Sequence, residues 1–414
     1  MSTFEARHVE SGGRASALGV WQAVVSGFCA SLAGIGVARF AYTPLLPAII
    51  DAHWFASSAA AYLGAANLAG YLAGALLARP MSEALPVATV LRGMMVLATV
   101  ALFACALPES FLWFFVWRFC SGMAGGVLMV LAAPVVLSHV PPSRRGLASG
   151  VIFMGVGVGI AASGTLVPVL LREGITATWL GLGFLSLVLT AVAWNGWATA
   201  PMPAAAAAAA RGLPGHRVRP LRALYAEYAL NAAGLVPHMI FLVDFVARGL
   251  GQGLETGAEY WVLFGLGASF GPLLTGHVAD RIGFTTSLRL AYLVEAIAVV
   301  LPALGLGTGW LMLSSVVVGA FTPGIVPLAL GRVQELLVDH PSERKAAWSR
   351  ATISFAVLQA VGAYGASYLF ASTESYRALF AIGSTAMVLA LTVDLVVGSN
   401  MHGRESCACA GDVN

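Results

Sequence analysis

Charge is scarce in this chain: Asp, Glu, Lys and Arg make up 10% of its 414 residues, where soluble domains carry about a quarter. Hydrophobic residues account for 59% and the mean hydropathy is +0.84, which excludes an ordinary soluble domain and points to a polytopic membrane protein. Lysine is nearly absent. Lys345 stands alone and follows Arg344, so the Gly-Lys-Ser/Thr of a phosphate-binding loop cannot be built and ATP is excluded as the direct energy source. No His and Glu share metalloprotease spacing, and neither a cofactor nor a metal is expected. The 5 cysteines form no disulfide framework: Cys29, Cys105 and Cys120 fall in apolar stretches, and Cys407 and Cys409 in a polar tail that reads as reduced and disordered. No cleavable signal peptide is expected from this stretch: residues 1–17 are polar and the first apolar run is long enough to remain as an anchor.

Long apolar runs are abundant. They lie near 18–48, 57–78, 87–107, 111–138, 147–170, 179–199, 223–248, 259–278, 287–307, 310–336, 347–371 and 375–398. Each meets the roughly 17–25 residues that a helix needs to cross the hydrocarbon layer. They are too long and too evenly apolar for barrel strands. Seventeen of the 22 basic residues fall in the tails and even-numbered loops, which predicts both termini in the cytoplasm. The net charge of +3 is therefore topological and implies no nucleic-acid partner; the lipid bilayer is the expected surroundings.

The stretch 200–222 breaks the apolar pattern with Pro201, Pro203, seven consecutive alanines, Pro214 and four arginines. It reads as a flexible cytoplasmic linker. It leaves a six-span half on each side, 18–199 and 223–398, with tails at 1–17 and 399–414. The halves echo each other at an offset near 200: Gly34 with Gly234, Gly74 and Arg79 with Gly276 and Arg281, and Arg144-Arg145 with Arg344-Lys345. A duplicated six-helix unit joined by a linker describes an alternating-access carrier. The expected fold class is all-α integral membrane, twelve transmembrane helices in two pseudo-symmetric halves.

Three motifs carry a resemblance to the major facilitator superfamily over essentially the whole chain. Gly276-x-x-x-Asp280-Arg281-x-Gly283 looks like the family's loop motif. Arg118-x-x-x-Gly122-x-x-Gly125-Gly126 is similar to its fourth-helix motif. Gly150, Gly155, Gly157, Gly159 and Gly164 are similar to the Gly-rich fifth-helix motif of exporters, but without its Gly-Pro pair, which leaves transport direction open. The first helix, from Gly34 through Arg39 to Pro47, looks like the YbfB/YjiJ-type branch of bacterial permeases. In the first half the loop motif is broken: Ala78 stands where Asp280 would be matched, and Met81 replaces the last glycine.

The expectation is a monomeric secondary carrier in the inner (plasma) membrane, moving a small organic solute by alternating access; with ATP set aside an ion gradient is the remaining drive, protons first and sodium as the alternative. The resemblance implies that Asp280 meets the N-terminus of the eleventh helix near Trp348, Ser349 and Arg350, a latch of favourable helix-end electrostatics. Asp280, Arg281 and Arg350 are the gating candidates. Arg39 and Arg118 are charges within apolar spans, where a bare charge costs at least about 2.5–3.5 kcal/mol. Placed on cavity-lining helices, as the resemblance implies, they would suit an anionic group. Arg39 could instead reach the outer interface, and Arg118 could tie backbone carbonyls. Asn231 and His238 join them as cavity candidates, sharing one face of the seventh helix with Glu227. His238, Asp244 and Glu295 are the proton-coupling candidates. Glu227, Glu259 and Asp394 also fit interfacial positions at helix ends.

Other classes remain open at this point: a membrane sensor or scaffold of the same fold, and a membrane-embedded enzyme acting on lipid. The latter would rely on Gly267-Ala-Ser269-Phe-Gly271, which fits a nucleophile pattern but sits in an apolar helix instead of the strand-to-helix elbow that the pattern requires.

Overall fold

A computed structural model describes residues 19–107, 109–137, 140, 145–197 and 215–411. Arg7, Arg14, Arg144, Arg211, the tail 1–17 and the linker up to residue 214 lie outside the described residues. So do the side chains of Arg145, Lys345, Arg404, Cys407 and Cys409.

The described chain is helical, and twelve helices are long and apolar enough to cross a membrane. They are α1 (Gly19–Asp51), α2 (Ser57–Ala84), α3 (Val87–Ala104), α4 (Phe111–Leu137), α5 (Arg145–Leu171), α6 (Ile175–Ala193), α7 (Gly215–Asp244, extended by a π turn Phe245–Gly249), α8 (Gly253–Ile282), α9 (Phe284–Leu304), α10 (Thr308–Leu336), α11 (Pro341–Thr373) and α12 (Tyr376–Gly411). Every predicted span has its helix. Two boundaries differ. α7 starts at Gly215, eight residues inside the expected linker, and continues through Pro220, which removes one bond of its ladder. α12 runs to Gly411, through most of the tail expected to be irregular, although its membrane-length part ends at Val397.

Each half is knitted by glycines. Gly70 and Gly74 of α2 interlock with Gly122 and Gly126 of α4: a Cβ at Gly70 would run into the Phe119 carbonyl, and one at Gly122 into the Asn67 carbonyl. In the second half Gly267 and Gly271 of α8 press on Val316 and Ala320 of α10, and Gly319 of α10 on Phe264. Lipid tails are as apolar as leucine, so close backbone approach supplies the packing that the hydrophobic effect cannot. The Gly-x-Ser-x-Gly segment is thus a packing face. Ser269 is buried and donates to the Gly265 carbonyl of its own helix at 2.9 Å.

Across the halves, α5 packs against α8 and α2 against α11. The turns α1–α2, α5–α6, α7–α8 and α11–α12 share one end of the molecule, here the odd-turn end; α2–α3 and α8–α9 mark the even-turn end. Near the odd-turn end the halves are clasped. Arg248 reaches Asp51 at 3.5 Å and the Ser57 hydroxyl at 3.4 Å. Tyr62 and Tyr364 lie with ring centroids 6.2 Å apart, and Ser367 donates to the Ala61 carbonyl. Trp261 Nε1 donates to Ser163 at 3.0 Å. Toward the even-turn end the contact thins. A Cβ on Gly157 would strike the backbone of Ser269, whereas one on Gly150 would meet just the Leu273 side chain.

Candidate functional site

α1 breaks where the halves meet. Leu32–Val37 is π-helical, residues 38–41 form a turn, and a second α segment starts at Tyr42. Two local causes are readable. Gly36 is pressed against Gly159 of α5, leaving no room for a Cβ. Pro44 has no N–H to give Phe40, whose carbonyl is taken by Thr43 N at 3.2 Å.

The freed carbonyls are met by Arg118 of α4. Its Nη1 donates to Ala38 O at 2.8 Å and its Nη2 to Arg39 O at 3.4 Å. Ser121 adds a third bond to Ala38 O at 3.1 Å. The guanidinium lies over the Tyr42 ring at 4.4 Å. Of the two readings of Arg118, the geometry realises the structural one: a brace for a broken helix.

Arg39 is placed otherwise. It is half-buried, and its Nη2 crosses to the second half, donating to Gln359 Oε1 of α11 at 2.9 Å and lying 3.9 Å from Met239 Sδ of α7. Phe40 and Tyr71 rings flank it at 5.1 Å. No ion pair to a carboxylate holds it among the described residues. Arg39 does not snorkel to the interface; it sits at the junction of the halves. Around it is a cavity of about 20 Å³, lined among others by Arg39, Tyr42, Asn67, Arg118 and Met239, room for about one water. Arg39 Nε, Arg118 Nε and Asn67 Oδ1 are buried without a protein partner. Gln359, Tyr71 and Met239 were not singled out in the sequence; Met239 is the residue that answers Arg39 at the 200 offset.

Asn231 and His238 do not line this cavity, contrary to expectation. They do share a face of α7 with Glu227, but that face turns inward to α9, α10 and α12. Asn231 donates to Glu295 Oε2 at 2.6 Å and lies 3.2 Å from Met387 Sδ. His238 Nε2 is 2.8 Å from Ser314 Oγ, which itself donates to Ala298 O at 2.6 Å. Ser314 has one proton to give, so His238 must donate from Nε2. The opposite face of α7 meets the first half, with Met239 O accepting from Thr43 at 2.5 Å and Ile240 against Gly64. Successive residues on a helix point about 100° apart, so one helix cannot offer residues 238 and 239 to the same neighbour.

Asp244 belongs to the odd-turn clasp. It is fully buried, accepts from Tyr376 OH at 2.5 Å and faces Arg248 at 3.4 Å. Asp51, Arg248 and Tyr376 carried no motif, and their role appears with tertiary contact alone. Asp394 pairs with Arg289, and Glu259 is exposed.

The gating pair is also corrected. Asp280, Arg281 and Arg350 are exposed, and Asp280 has no ion pair among the described residues. Arg350 does not face it. In the antiparallel α5–α8 pair, Gly157 lies beside Ser269, Gly265 beside Ala161 and Gly164 beside Val262. Carried on to Asp280, this register reaches Gly146, at the start of α5. The α2–α11 register, with Ala61 beside Ser367 and Tyr62 beside Tyr364, brings Ala78 level with Trp348–Arg350. The helix start opposite Asp280 is therefore that of α5, and Arg350, more than two turns inside α11, lies level with the alanine.

Relatives agree with this architecture. The chain is 25% identical over 401 residues, 91% of its length and 96% of the relative's, to an uncharacterized MFS-type transporter YceJ of Bacillus subtilis (strain 168). Among solved structures, a point mutant of the nucleoside transporter NupG superposes with a TM-score of 0.72 at 13% identity, over 92% of this chain and 99% of that one. The xylose transporter XylE from E. coli, in a partially occluded inward open conformation, gives 0.70 at 13% identity over 90% and 96%. At such identities the likeness is one of fold. Residues 31–395 match the family described as uncharacterised MFS-type transporter YbfB, and the chain belongs to that family of multi-pass membrane transporters.

Proposed function

We propose that this protein is a secondary active transporter that carries a small organic anion through the Arg39 site by alternating access, coupled to protons. The observation that carries the reading is Arg39: a cation at the junction of the halves, bonded to a neutral amide and a thioether, with Nε unpartnered. A guanidinium fork matches a carboxylate, and a solute that supplies the missing charge repays the cost of burying this one. Because Arg39 stands on the first half and its side chain bonds to the second, a solute bound there senses their relative position. The clasped odd-turn end and the thinner contact toward the even-turn end support one state of such a cycle. Asp280 opposite the α5 start supports a latch that forms when the even-turn end closes, by the attraction of a carboxylate to a helix N-terminus.

The excess of basic residues beside the even-turn end supports placing that end and both termini in the cytoplasm, in an inner (plasma) membrane. With ATP chemistry excluded by the absence of a phosphate loop, an ion gradient is the remaining drive. A monoanion travelling with one proton moves no net charge. NupG and XylE carry chemically unlike solutes on this fold, so no substrate is transferred from them. The test is uptake into proteoliposomes holding a pH dye, with a panel of carboxylates and their neutral amides. Carboxylate-dependent proton flux, lost in Arg39→Gln, is expected. Uptake of amides in preference to acids would overturn the anion reading, and solute uptake without proton movement would overturn the coupling.

A further inference from the structure

A polar column in the second half is untouched by the Arg39 site. It runs between α7, α9 and α12 from the even-turn end to mid-span. At its mouth the Arg289–Asp394 pair is 33% and 13% exposed. Next comes Glu227, 3% exposed, with Oε2 unpartnered, at the level of Tyr292, whose hydroxyl is also unpartnered. Tyr292 lies close enough to Glu227, Glu295 and Asp394 to sense their charges. At the inner end is Glu295, fully buried. Asn231 holds its Oε2 at 2.6 Å and leaves Oε1 without a partner. Beyond Glu295 the column is stopped by the His238–Ser314–Ala298 chain and by Phe380, edge-on to His238 at 5.0 Å.

We infer that Glu295 is the coupling-proton site, reached from the even-turn end through Glu227. This rests on the reading of the protein as a proton-coupled transporter. Neither carboxylate has a Lys or Arg ion pair among the described residues, and Arg289 is engaged with Asp394. Two unpaired carboxylates cannot both stay ionised so deep in a membrane protein. The other groups around the column are few: Tyr228 and His238 on α7, Tyr292 on α9, Ser314 and Arg332 on α10, Met387 on α12. Arg332 bonds to Glu335, and His238 serves Ser314. Asn231 Oδ1 and His238 Nδ1 are also unpartnered, and Oε1 of Glu295 is the innermost carboxylate oxygen left vacant.

The proton balance is simple. Hydronium at the mouth protonates the Glu227 carboxylate and leaves as water. Glu227 then passes the proton by way of the unpartnered Tyr292 hydroxyl, which takes it on one side and gives one up on the other, to Glu295 Oε1, and is ionised again. Communication with the solute site runs through α7. Asn231 binds Glu295 on one face, Met239 and Ile240 line the Arg39 cavity on another, and Pro237 interrupts the helix ladder between them. Proton and solute therefore act on one helix without competing for one pocket.

The test is infrared difference spectroscopy of the full chain in lipid nanodiscs through a pH jump. One protonated-carboxyl band is expected to change with pH and to vanish in Glu295→Gln. In Glu227→Gln it should appear about a hundredfold more slowly, the lower range of what a positioned proton-transfer group supplies. Glu255→Gln, 82% exposed at the other end, should leave the rate unchanged. A band that survives Glu295→Gln, or equal slowing by Glu255→Gln, overturns the inference. Should Glu295→Gln fail to fold, carbodiimide labelling of the wild-type protein gives the same reading by mass spectrometry. Labelling at Glu295 that declines as pH rises supports the site; no labelling there, or labelling indifferent to pH, refutes it. Neither measurement uses a solute, so failure of the transporter reading would show separately, as absent solute-driven proton flux in the proteoliposomes.

Discussion

Arg39 and Arg118 are the same residue type on neighbouring helices, and the sequence offers each a choice between cavity and scaffold. The structure separates them by hydrogen-bond partner. Arg118 is spent on Ala38 O and Arg39 O; Arg39 is held by a neutral amide from the other half. Replacing Arg118 with Met should orphan the Arg39 carbonyl at a cost of about 1–3 kcal/mol and leave Ala38 O to Ser121 alone. The expected result is a lowered thermal midpoint in detergent, while Arg39→Gln folds with a near-normal midpoint and loses uptake. Arg39→Lys should restore part of the uptake, because the charge returns without the fork. A midpoint drop in Arg39→Gln as large as that in Arg118→Met would erase the distinction. Neither assignment was legible in the sequence, because spacing shows that an arginine lies in a span but not which atoms surround it.

At the scale of the helix, the glycines divide into two kinds. Those joining α2 to α4 and α8 to α10 pack within a half; Gly157 and Gly265 meet across the halves. Gly70→Leu and Gly271→Leu should prevent a half from assembling, read as loss of folded protein on size exclusion. Gly157→Ala should leave each half intact and loosen the odd-turn clasp. The clasp can be probed directly: Tyr62→Cys with Tyr364→Cys should form a disulfide that stops uptake and is reversed by reductant. Uptake that continues in the cross-linked protein would show that this contact does not open. Small-xxx-small spacing was readable at once, since periodicity puts both glycines on one face. The orientation of α7 was not. Its row of Glu227, Asn231 and His238 was legible as a row, but nothing local says whether a polar face turns to the central cavity or to α9 and α12.

At the scale of the molecule, the two even-turn gates are unequal. Asp280 stands opposite the start of α5, and Ala78 lies level with residues 348–350, about two turns inside α11. Asp280→Asn should weaken closure of the even-turn end and favour the conformation described here. An exposed ion pair or helix-end contact is worth about 1 kcal/mol or less, so the population shift should be no more than about fivefold. Cross-linking Gly150→Cys to Gly276→Cys, paired in the same register, reads closure with Asp or Asn at 280. Efficient cross-linking of 280 to 350 instead would overturn the register. Arg248→Gln should act in the opposite sense and open the odd-turn end. The sequence by itself determined the twelve spans and the family, because hydrophobic length and motif spacing are local properties that hydrocarbon enforces wherever the helices sit. The tertiary structure alone decided which face of α7 meets the first half, that Arg118 braces a broken helix, and which helix start Asp280 opposes. Those depend on rotation and register between helices distant in the chain, and in an almost uniformly apolar sequence few local residues constrain either.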